Sequence, residues 1–185
     1  MRIVVGITGA SGAIFGIRAL EVLRALHVET HLILSKWARS TIAHETSMPL
    51  EDLEKLASAV HHPDNQAAPV SSGSFKTDGM IIAPCSMKTL AAIRVGFSDS
   101  LICRAADVHL KERRKLVLLP RESPFSEIHL ENMLALSRMG AVIFPPIPAF
   151  YNHPQSVEDV IHHIVGRVLD QFGFDTPGLA RWSGF

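Results

Sequence analysis

Short aliphatic runs alternate with segments of helical periodicity along the whole chain. The runs predict five strands, over residues 3–7, 29–34, 79–83, 116–119 and 141–144. Four of the five are almost continuously aliphatic, which is typical of parallel strands covered on both faces. We therefore predict an α/β fold over residues 1–185: a single-domain, Rossmann-like (flavodoxin-like) doubly wound parallel sheet with helices on both faces.

Helical periodicity marks segments between these runs. A first helix begins near Ala13, a later one ends before Gly140, and the clearest follows Ser156, which forms a capping box with Asp159. Arg167 lies at the border of the apolar stripe of this last helix, which predicts that it faces a crevice or a neighbour. Residues 61–77 are rich in Pro, Ser, Gly, Asn and Gln and predict a loop.

Charge and cysteine content narrow the possible partners. Lys+Arg and Asp+Glu both total 18 in 185 residues. This balance argues against nucleic acid or an anionic membrane as partner, and with the 47% hydrophobic content it suggests a homo-oligomer. Two cysteines indicate a reducing, cytoplasmic setting, and the scattered histidines and cysteines predict no metal site.

A glycine-rich turn, Gly6-Ile7-Thr8-Gly9-Ala10-Ser11-Gly12, follows the first strand. Such a junction exposes backbone N–H groups to a phosphate, although the glycines alone would also serve a tight turn. The glycine spacing differs from the dinucleotide fingerprint, and Ser35 ends the second strand where that fingerprint needs an acid. NAD is therefore disfavoured.

Polar residues follow the later strands as well. Ser86 and Thr89 either cap a new helix or hold a second part of the same ligand, and Arg121 with Glu122 lies either in a ligand site or in an internal salt bridge. Arg104 and Lys111 share one helical face and are able to meet an anion together. The stretch 113–115 predicts a solvated helix end. Tyr151 closes a proline-rich loop over residues 145–154.

Five ordered motifs resemble the UbiX-type flavin prenyltransferases, long labelled aromatic acid (phenylacrylic acid) decarboxylases. They are Gly9-Ala10-Ser11-Gly12, Pro84-Cys85-Ser86-Met87-Lys88-Thr89, Arg104-Ala105-Ala106-Asp107-Val108, Pro120-Arg121-Glu122-Ser123-Pro124-Phe125 and Pro154-Gln155-Ser156-Val157-Glu158-Asp159. The resemblance implies a homo-oligomer, typically a dodecamer, that attaches a dimethylallyl group from dimethylallyl monophosphate to reduced FMN. The product would serve a UbiD-type decarboxylase.

The resemblance also implies roles for individual residues. It assigns FMN binding to Gly9, Ala10, Ser11, Ser35, Ser86, Met87, Lys88, Thr89 and Arg121. It assigns binding of the prenyl phosphate to Lys111, Arg121, Tyr151 and Arg167. The catalytic residues around the reacting groups would be Ser11, Glu45, Arg104, Glu122 and Trp182. Lys, Arg and Tyr suit a departing phosphate, and an aromatic face suits an allyl cation.

Two other functions fit parts of the same pattern. An FMN-dependent cysteine decarboxylase of this fold shares the glycine turn, but carries Pro-Ala-Ser-Ala-Asn-Thr where this chain has Pro-Cys-Ser-Met-Lys-Thr. A noncatalytic flavin carrier for a decarboxylase would need the FMN contacts and have no use for Lys111, Tyr151 and Arg167. The flavin prenyltransferase accounts for both sets of residues.

Overall fold

Six parallel strands form the centre of the computed structural model, which describes residues 1–184. They are ordered β3-β2-β1-β4-β5-β6, and each neighbouring pair is parallel. The predicted parallel sheet is thus confirmed; residue 185, the last of the predicted domain, lies outside the described residues. The strands are β1 (Arg2–Ile7), β2 (Glu29–Leu34), β3 (Ala59–His61), β4 (Gly79–Cys85), β5 (Lys115–Pro120) and β6 (Val142–Ile143).

Helices cover both faces of the sheet, as predicted. In the described part of the chain they are α1 (Ala13–Ala25), α2 (Lys36–Glu45), α3 (Leu50–Glu54), α4 (Met87–Arg94), α5 (Leu101–Lys111), α6 (Glu127–Arg138) and α7 (Val157–Asp170). Apolar side chains of α1 and α7 form a core with one face, and those of α4 and α5 form a second core with the other. Over residues 1–184, no helix combines the length and the apolar content that a bilayer crossing requires.

The start of α7 follows the predicted capping box. The Ser156 hydroxyl accepts a hydrogen bond from the Asp159 amide at 3.2 Å, and the Asp159 carboxylate accepts one from the Ser156 amide at 3.0 Å. Each contact satisfies an amide that the first helical turn leaves unpaired. This helix therefore begins where the sequence pattern places it.

The outer strands differ most from the prediction. β3 was not predicted, because it has only three residues, lies at the edge of the sheet and leaves Val60 39% exposed. β6 is shorter than the predicted strand 141–144. The Ala141 amide instead donates to the Leu136 carbonyl at the end of α6, and Pro145 has no amide with which to extend the ladder.

The segment 62–78 is more ordered than the predicted loop. It contains a 3₁₀ helix, Pro69–Ser71, and buries Val70 against the second core. The guanidinium of Arg114 donates to the carbonyl oxygens of Gly73 and Phe75, at 2.5 and 2.8 Å. The expectation that Arg114 is solvated was therefore wrong: this side chain ties the segment to the end of α5.

His109 is buried on α5 with both ring nitrogens paired. Nδ1 donates to the Ala105 carbonyl at 2.7 Å, so the neutral ring accepts from the Thr77 hydroxyl at Nε2, at 2.9 Å. A proton on Nε2 would compete with that hydroxyl, and burial keeps the pKa of His109 below its ordinary value of 6.5. The folded protein therefore holds this ring neutral.

We predict that the free energy of unfolding falls as the pH is lowered below about 6.5, by at most about 1.4 kcal/mol per pH unit for each such histidine. The unfolded chain binds the proton first, so acid favours unfolding in this window. Urea unfolding between pH 7.5 and 5.5 measures the effect. His109→Leu should reduce the slope; equal slopes in the wild-type and Leu proteins would contradict the prediction.

Candidate functional site

A large cavity lies at the carboxyl edge of the sheet, where the strand order changes direction between β1 and β4. Open α/β sheets bind ligands in this crevice, because the connections there leave towards opposite sides. The cavity has a volume of about 640 Å³, within the usual range of cofactor sites. Its wall includes Thr8 and Gly9 after β1, Ser35 to Trp37 after β2, and Ser86, Lys88 and Thr89 after β4.

One buried hydroxyl joins the two strand ends that form this crevice. Thr8 is 1% exposed, and its Oγ1 donates to the Pro84 carbonyl at 2.7 Å. The same oxygen accepts a hydrogen bond from the Ser86 amide at 2.9 Å. The hydroxyl therefore holds the end of β4 against the glycine turn after β1.

Three helices begin at the cavity, and a serine caps each of them: Ser35 caps α2, Ser86 caps α4 and Ser100 caps α5. The Ser35 hydroxyl accepts from the Ala38 amide at 3.1 Å, and the Ser86 hydroxyl accepts from the Thr89 amide at 3.3 Å. The capping interpretation of Ser86 is thus confirmed. The N-termini of α2 and α4 carry partial positive charge, which favours an anion between them.

Helix α2 lies along the glycine turn. Trp37, Thr41 and Glu45 share one helical face, because they are spaced four residues apart. Thr41 donates to the Gly9 carbonyl at 3.3 Å, and a Cβ atom at Gly9 would collide with Trp37. Glycine is required there because the backbones of the turn and the helix approach each other so closely.

Glu45 occupies the N-terminus of α1. Its carboxylate accepts hydrogen bonds from the Gly12 and Ala13 amides, at 2.8 and 3.2 Å. Burial raises the pKa of Glu45, but hydrogen bonds from Ser11, Gly12 and Ala13 and the charge of Arg121 outweigh it, so the pKa is lowered. The structure thus brings Ser11, Glu45 and Arg121 together and keeps this carboxylate ionised.

Arg121 and Glu122 follow β5 at the same edge of the sheet, and both side chains are exposed. Within residues 1–184 no ion pair joins them, so the alternative of an internal salt bridge was wrong. Glu122 accepts from the Ser123 amide at 3.0 Å. Both side chains line a cavity of about 300 Å³ beside the proline-rich loop.

The two basic residues of α5 are each paired with an acid of the same chain. Arg104 donates to Asp107 at 2.6 Å and to the Ser71 carbonyl at 3.1 Å, whereas Lys111 contacts Glu112. Lys111 lies before β5 and Arg121 lies after it. Because this six-residue strand spans about 20 Å, one chain holds these two cations at opposite edges of the sheet.

A third group of predicted residues surrounds α7. The Tyr151 hydroxyl lies 3.0 Å from Nε2 of His163, and the Trp182 ring lies edge-on to Tyr151 at 5.6 Å between centroids. Arg167, one helical turn beyond His163, pairs with Asp170 at 3.5 Å. We call Tyr151, His163, Arg167 and Trp182 the α7 cluster.

The α7 cluster lies away from the large cavity. Phe172, two residues after α7, packs against Gly79 at the start of β4. Helix α7 therefore ends near the amino edge of the sheet, and Arg167 lies near that edge. A single chain thus does not bring Arg167 and Arg121 to one phosphate.

Sequence reasoning missed part of the cavity wall. Trp37 was missed although it follows the end of β2, a position at which ligand contacts are common. His62, Pro63 and Asp64 were missed because they follow the unpredicted strand β3. Asp99, Ser100 and Cys103 also line the cavity, and only the packing of α5 reveals them.

The two cysteines are poor nucleophiles in this environment. Burial raises the pKa of both the Cys85 and the Cys103 thiol, so the reactive thiolate is disfavoured. In the described part of the chain, no three His, Cys, Asp or Glu side chains are grouped so that they could hold a metal ion.

Comparison with known proteins gives a consistent result. The model of the family described as Flavoprotein matches residues 1–169. A probable UbiX-like flavin prenyltransferase of Streptomyces sp. (strain D7) is 60% identical over 185 residues, covering 100% of this chain and 92% of the relative. A dodecameric FMN-dependent UbiX-like decarboxylase from Escherichia coli O157:H7 superposes with a TM-score of 0.98 at 60% identity, covering 100% of both chains.

A second solved structure includes ligands. AnUbiX (PadA1), in complex with FMN and dimethylallyl pyrophosphate, has a TM-score of 0.98 and 60% identity, covering 100% of this chain and 98% of that one. The FMN-dependent cysteine decarboxylase TvaF has a TM-score of 0.67 at 15% identity over 94% of this chain and 99% of that one, which shows a shared fold alone.

We predict that Thr8→Val weakens binding of FMN, the ligand that the sequence indicates, and lowers the free energy of unfolding by about 1–3 kcal/mol. Valine has nearly the same shape but leaves the Ser86 amide without its acceptor. Thr8→Ser keeps the hydroxyl and is the matched control. Flavin fluorescence titration and urea unfolding measure both quantities; a Val variant that binds FMN like the Ser variant would contradict the role given to Thr8.

Proposed function

This chain belongs to the UbiX-like flavin prenyltransferases of the Flavoprotein family, and on that premise we propose that it transfers a dimethylallyl group from dimethylallyl monophosphate to reduced FMN. The observation that carries the proposal is the cavity at the β1–β4 crevice, where the N-termini of α2 and α4 suit an anion. Lys111, Arg121 and Arg167 supply the positive charge for a second phosphate. The product is the prenylated FMN cofactor, which a UbiD-type decarboxylase uses.

The residues at the crevice fit FMN. Ser35, Ser86 and Thr89, together with the lysine Lys88 and the N-termini of α2 and α4, suit the phosphate of FMN. Gly9 and the exposed side chain of Trp37 line the same cavity, which offers an apolar surface to a flat ring system. Glu45 already occupies the amides of Gly12 and Ala13, so the phosphate belongs nearer α2 and α4.

Bound FMN in its reduced state supplies the electron-rich ring that accepts the allyl group. The chain's own contribution is to stabilise the phosphate that departs as the allylic C–O bond breaks. Lys111, Arg121 and Arg167 supply positive charge and Tyr151 supplies a hydroxyl, which favours charge separation in the transition state. Trp182 offers an aromatic face to the allyl cation.

The two carboxylates have different roles in this proposal. Glu45 is ionised and held by the turn, so it positions Ser11 and Arg121 and holds no proton to donate. Glu122 is exposed beside Arg121, and it or the departing phosphate takes up the proton released from the flavin. Arg104 is held by the Asp107 carboxylate and the Ser71 carbonyl, and it supplies a further positive charge to the proposed site.

The structure favours this function over the two alternatives. A noncatalytic flavin carrier gives no reason for Tyr151, Arg167 and Trp182 to be gathered at α7. The likeness to the cysteine decarboxylase TvaF shows a shared fold alone. The resemblance implies in addition that Met87-Lys88 stands where such enzymes carry Ala-Asn. A cationic Lys88 at the cavity wall suits a phosphate more than a cysteinyl peptide.

Assembly of several copies completes the proposed site. Arg121 lies at the carboxyl edge of the sheet, whereas Lys111 and the α7 cluster lie elsewhere in the same chain, so neighbouring subunits must bring them to one phosphate. Exposed apolar side chains on α6 and in the proline-rich loop, such as Ile128, Leu134, Ile147 and Phe150, provide contact surface. We propose a dodecamer, as in the Escherichia coli relative.

The cellular location is inferred from the need for reduced flavin and free thiols. We propose that residues 1–185 form one flavoprotein domain that acts in the cytoplasm, where reduced flavin and the two free cysteines, Cys85 and Cys103, are stable. The partners are dimethylallyl monophosphate, further copies of the chain and a UbiD-type decarboxylase, with no role for nucleic acid or a membrane.

The central test is anaerobic incubation with reduced FMN and either dimethylallyl monophosphate or dimethylallyl pyrophosphate, followed by mass spectrometry of the flavin. A flavin heavier by one dimethylallyl group is expected with the monophosphate; unchanged flavin with both donors would refute the function.

Arg167→Ala should weaken use of the donor by about ten- to a hundredfold, because a charge-assisted contact of roughly 1.5–3 kcal/mol is lost. FMN affinity should be unchanged; a variant with normal kinetics but lower stability would make Arg167 structural.

Mixed oligomers test whether sites are shared between chains. We expect Arg121→Ala and Arg167→Ala oligomers each to be nearly inactive, and random co-assembly of equal amounts to restore both arginines in about a quarter of the sites. Activity of mixtures refolded together is compared with that of mixtures combined after folding. No recovery on co-assembly would mean that both arginines act within one chain.

A further inference from the structure

The α7 cluster contains a buried histidine to which the proposed mechanism gives no role. His163 is 7% exposed, and its Nε2 lies 3.0 Å from the Tyr151 hydroxyl oxygen. The two rings meet edge to face, with centroids 5.5 Å apart and an interplanar angle of 82°. Tyr151 itself is 41% exposed, so this residue is partly open to solvent while its hydroxyl contacts His163.

Trp182 restricts Tyr151 from another direction. Its ring lies 5.6 Å from the Tyr151 ring at an interplanar angle of 73°. A loop residue with an exposed ring would otherwise sample several rotamers, and that freedom would be lost on binding a ligand. The contacts with His163 and Trp182 therefore hold the phenol in one position before any ligand binds.

The number of protons on His163 and Tyr151 limits the hydrogen bonds that these two side chains can donate to an anion. A neutral imidazole has one N–H and one bare nitrogen, and a phenol has a single proton to donate. If Nε2 carries no proton, it accepts the hydrogen bond of the phenol O–H, and Tyr151 then offers the ligand only oxygen lone pairs. If Nε2 carries the proton, it donates to the phenol oxygen and leaves the Tyr151 proton free for the ligand.

Burial and the neighbouring charge of Arg167 keep the His163 ring neutral. Burial lowers the pKa of His163, and the positive charge of Arg167 lowers it further, against the opposing effect of Asp170. Arg167 is four residues further along α7 and supplies the formal charge at this site. His163 therefore affects the phosphate through the geometry of Tyr151 rather than through a charge of its own.

We propose that His163 is a positioning residue for the prenyl donor: its Nε2–H holds the Tyr151 oxygen and directs the phenol proton to the donor's phosphate. This inference rests on the proposed function, in which Tyr151 binds that phosphate. It assigns His163 to the transferase machinery, although this residue contacts neither the flavin nor the phosphate in the proposed site.

The test compares His163→Leu, which removes the donor, with His163→Gln, whose amide nitrogen reaches about as far as Nε2. With reduced FMN and dimethylallyl monophosphate, the Leu variant should raise KM for the donor by about three- to tenfold, and the Gln variant should largely restore it. FMN affinity should stay unchanged in both. His163→Asn, which is polar but too short to reach Tyr151, should resemble Leu and still provides the comparison if Leu folds poorly.

A double-mutant cycle with Tyr151→Phe separates a positioning role from a general structural one. Because His163 acts through the Tyr151 hydroxyl, adding His163→Leu to Tyr151→Phe should change KM no further. The control is His162→Leu, which loses a contact with the Pro177 carbonyl but none with Tyr151, and its KM should change much less.

Three outcomes would overturn the inference: an unchanged KM in His163→Leu, failure of Gln to outperform Asn, or an equal further loss in the Tyr151→Phe background. Each of these leaves the proposed function intact, because the wild-type protein still prenylates the flavin. A wild-type protein that does not prenylate the flavin would overturn both.

Discussion

The geometry of the crevice depends on two hydrogen bonds made by the buried hydroxyl of Thr8. At the point where the strand order reverses, the chain leaves β1 and β4 towards opposite sides of the sheet. The paired residues of these strands end at Gly6 and Ile82, so a link beyond them holds the two strand ends together. Thr8 supplies that link by binding the Pro84 carbonyl and the Ser86 amide. The N-terminus of α4, which begins at the next residue, is thereby held at a set place beside the glycine turn.

Charge placement at the crevice follows from which helix ends are already satisfied. Glu45 neutralises the N-terminus of α1, whereas the serine caps of α2 and α4 are neutral and leave the partial positive charge of those ends in place. A phosphate is therefore better placed between α2 and α4 than over the amides of Gly12 and Ala13. Gly9 allows the close approach of α2 to the turn, and Gly12 adopts the left-handed backbone conformation that precedes α1.

In the proposed site, the separation of the basic residues makes one folded chain an incomplete catalyst. A parallel strand of six residues keeps Lys111 and Arg121 apart, and α7 carries Arg167 towards the amino edge of the sheet. The proposed site therefore needs contacts between copies of the chain to bring these cations together. The balanced net charge and the exposed apolar side chains of α6 are consistent with such contacts.

The sequence by itself determined the parallel sheet, the capped start of α7 and the residues at the carboxyl ends of β1, β4 and β5, because continuous aliphatic runs and capping signals are local properties. It also carried the motifs that place the chain in its family. Tertiary structure alone decided the edge strand β3, the role of Glu45 as a helix cap, the place of Arg114 and the pairing of Tyr151 with His163. These depend on contacts between residues 12 to 41 positions apart in the chain, and such contacts leave no period or spacing in the sequence.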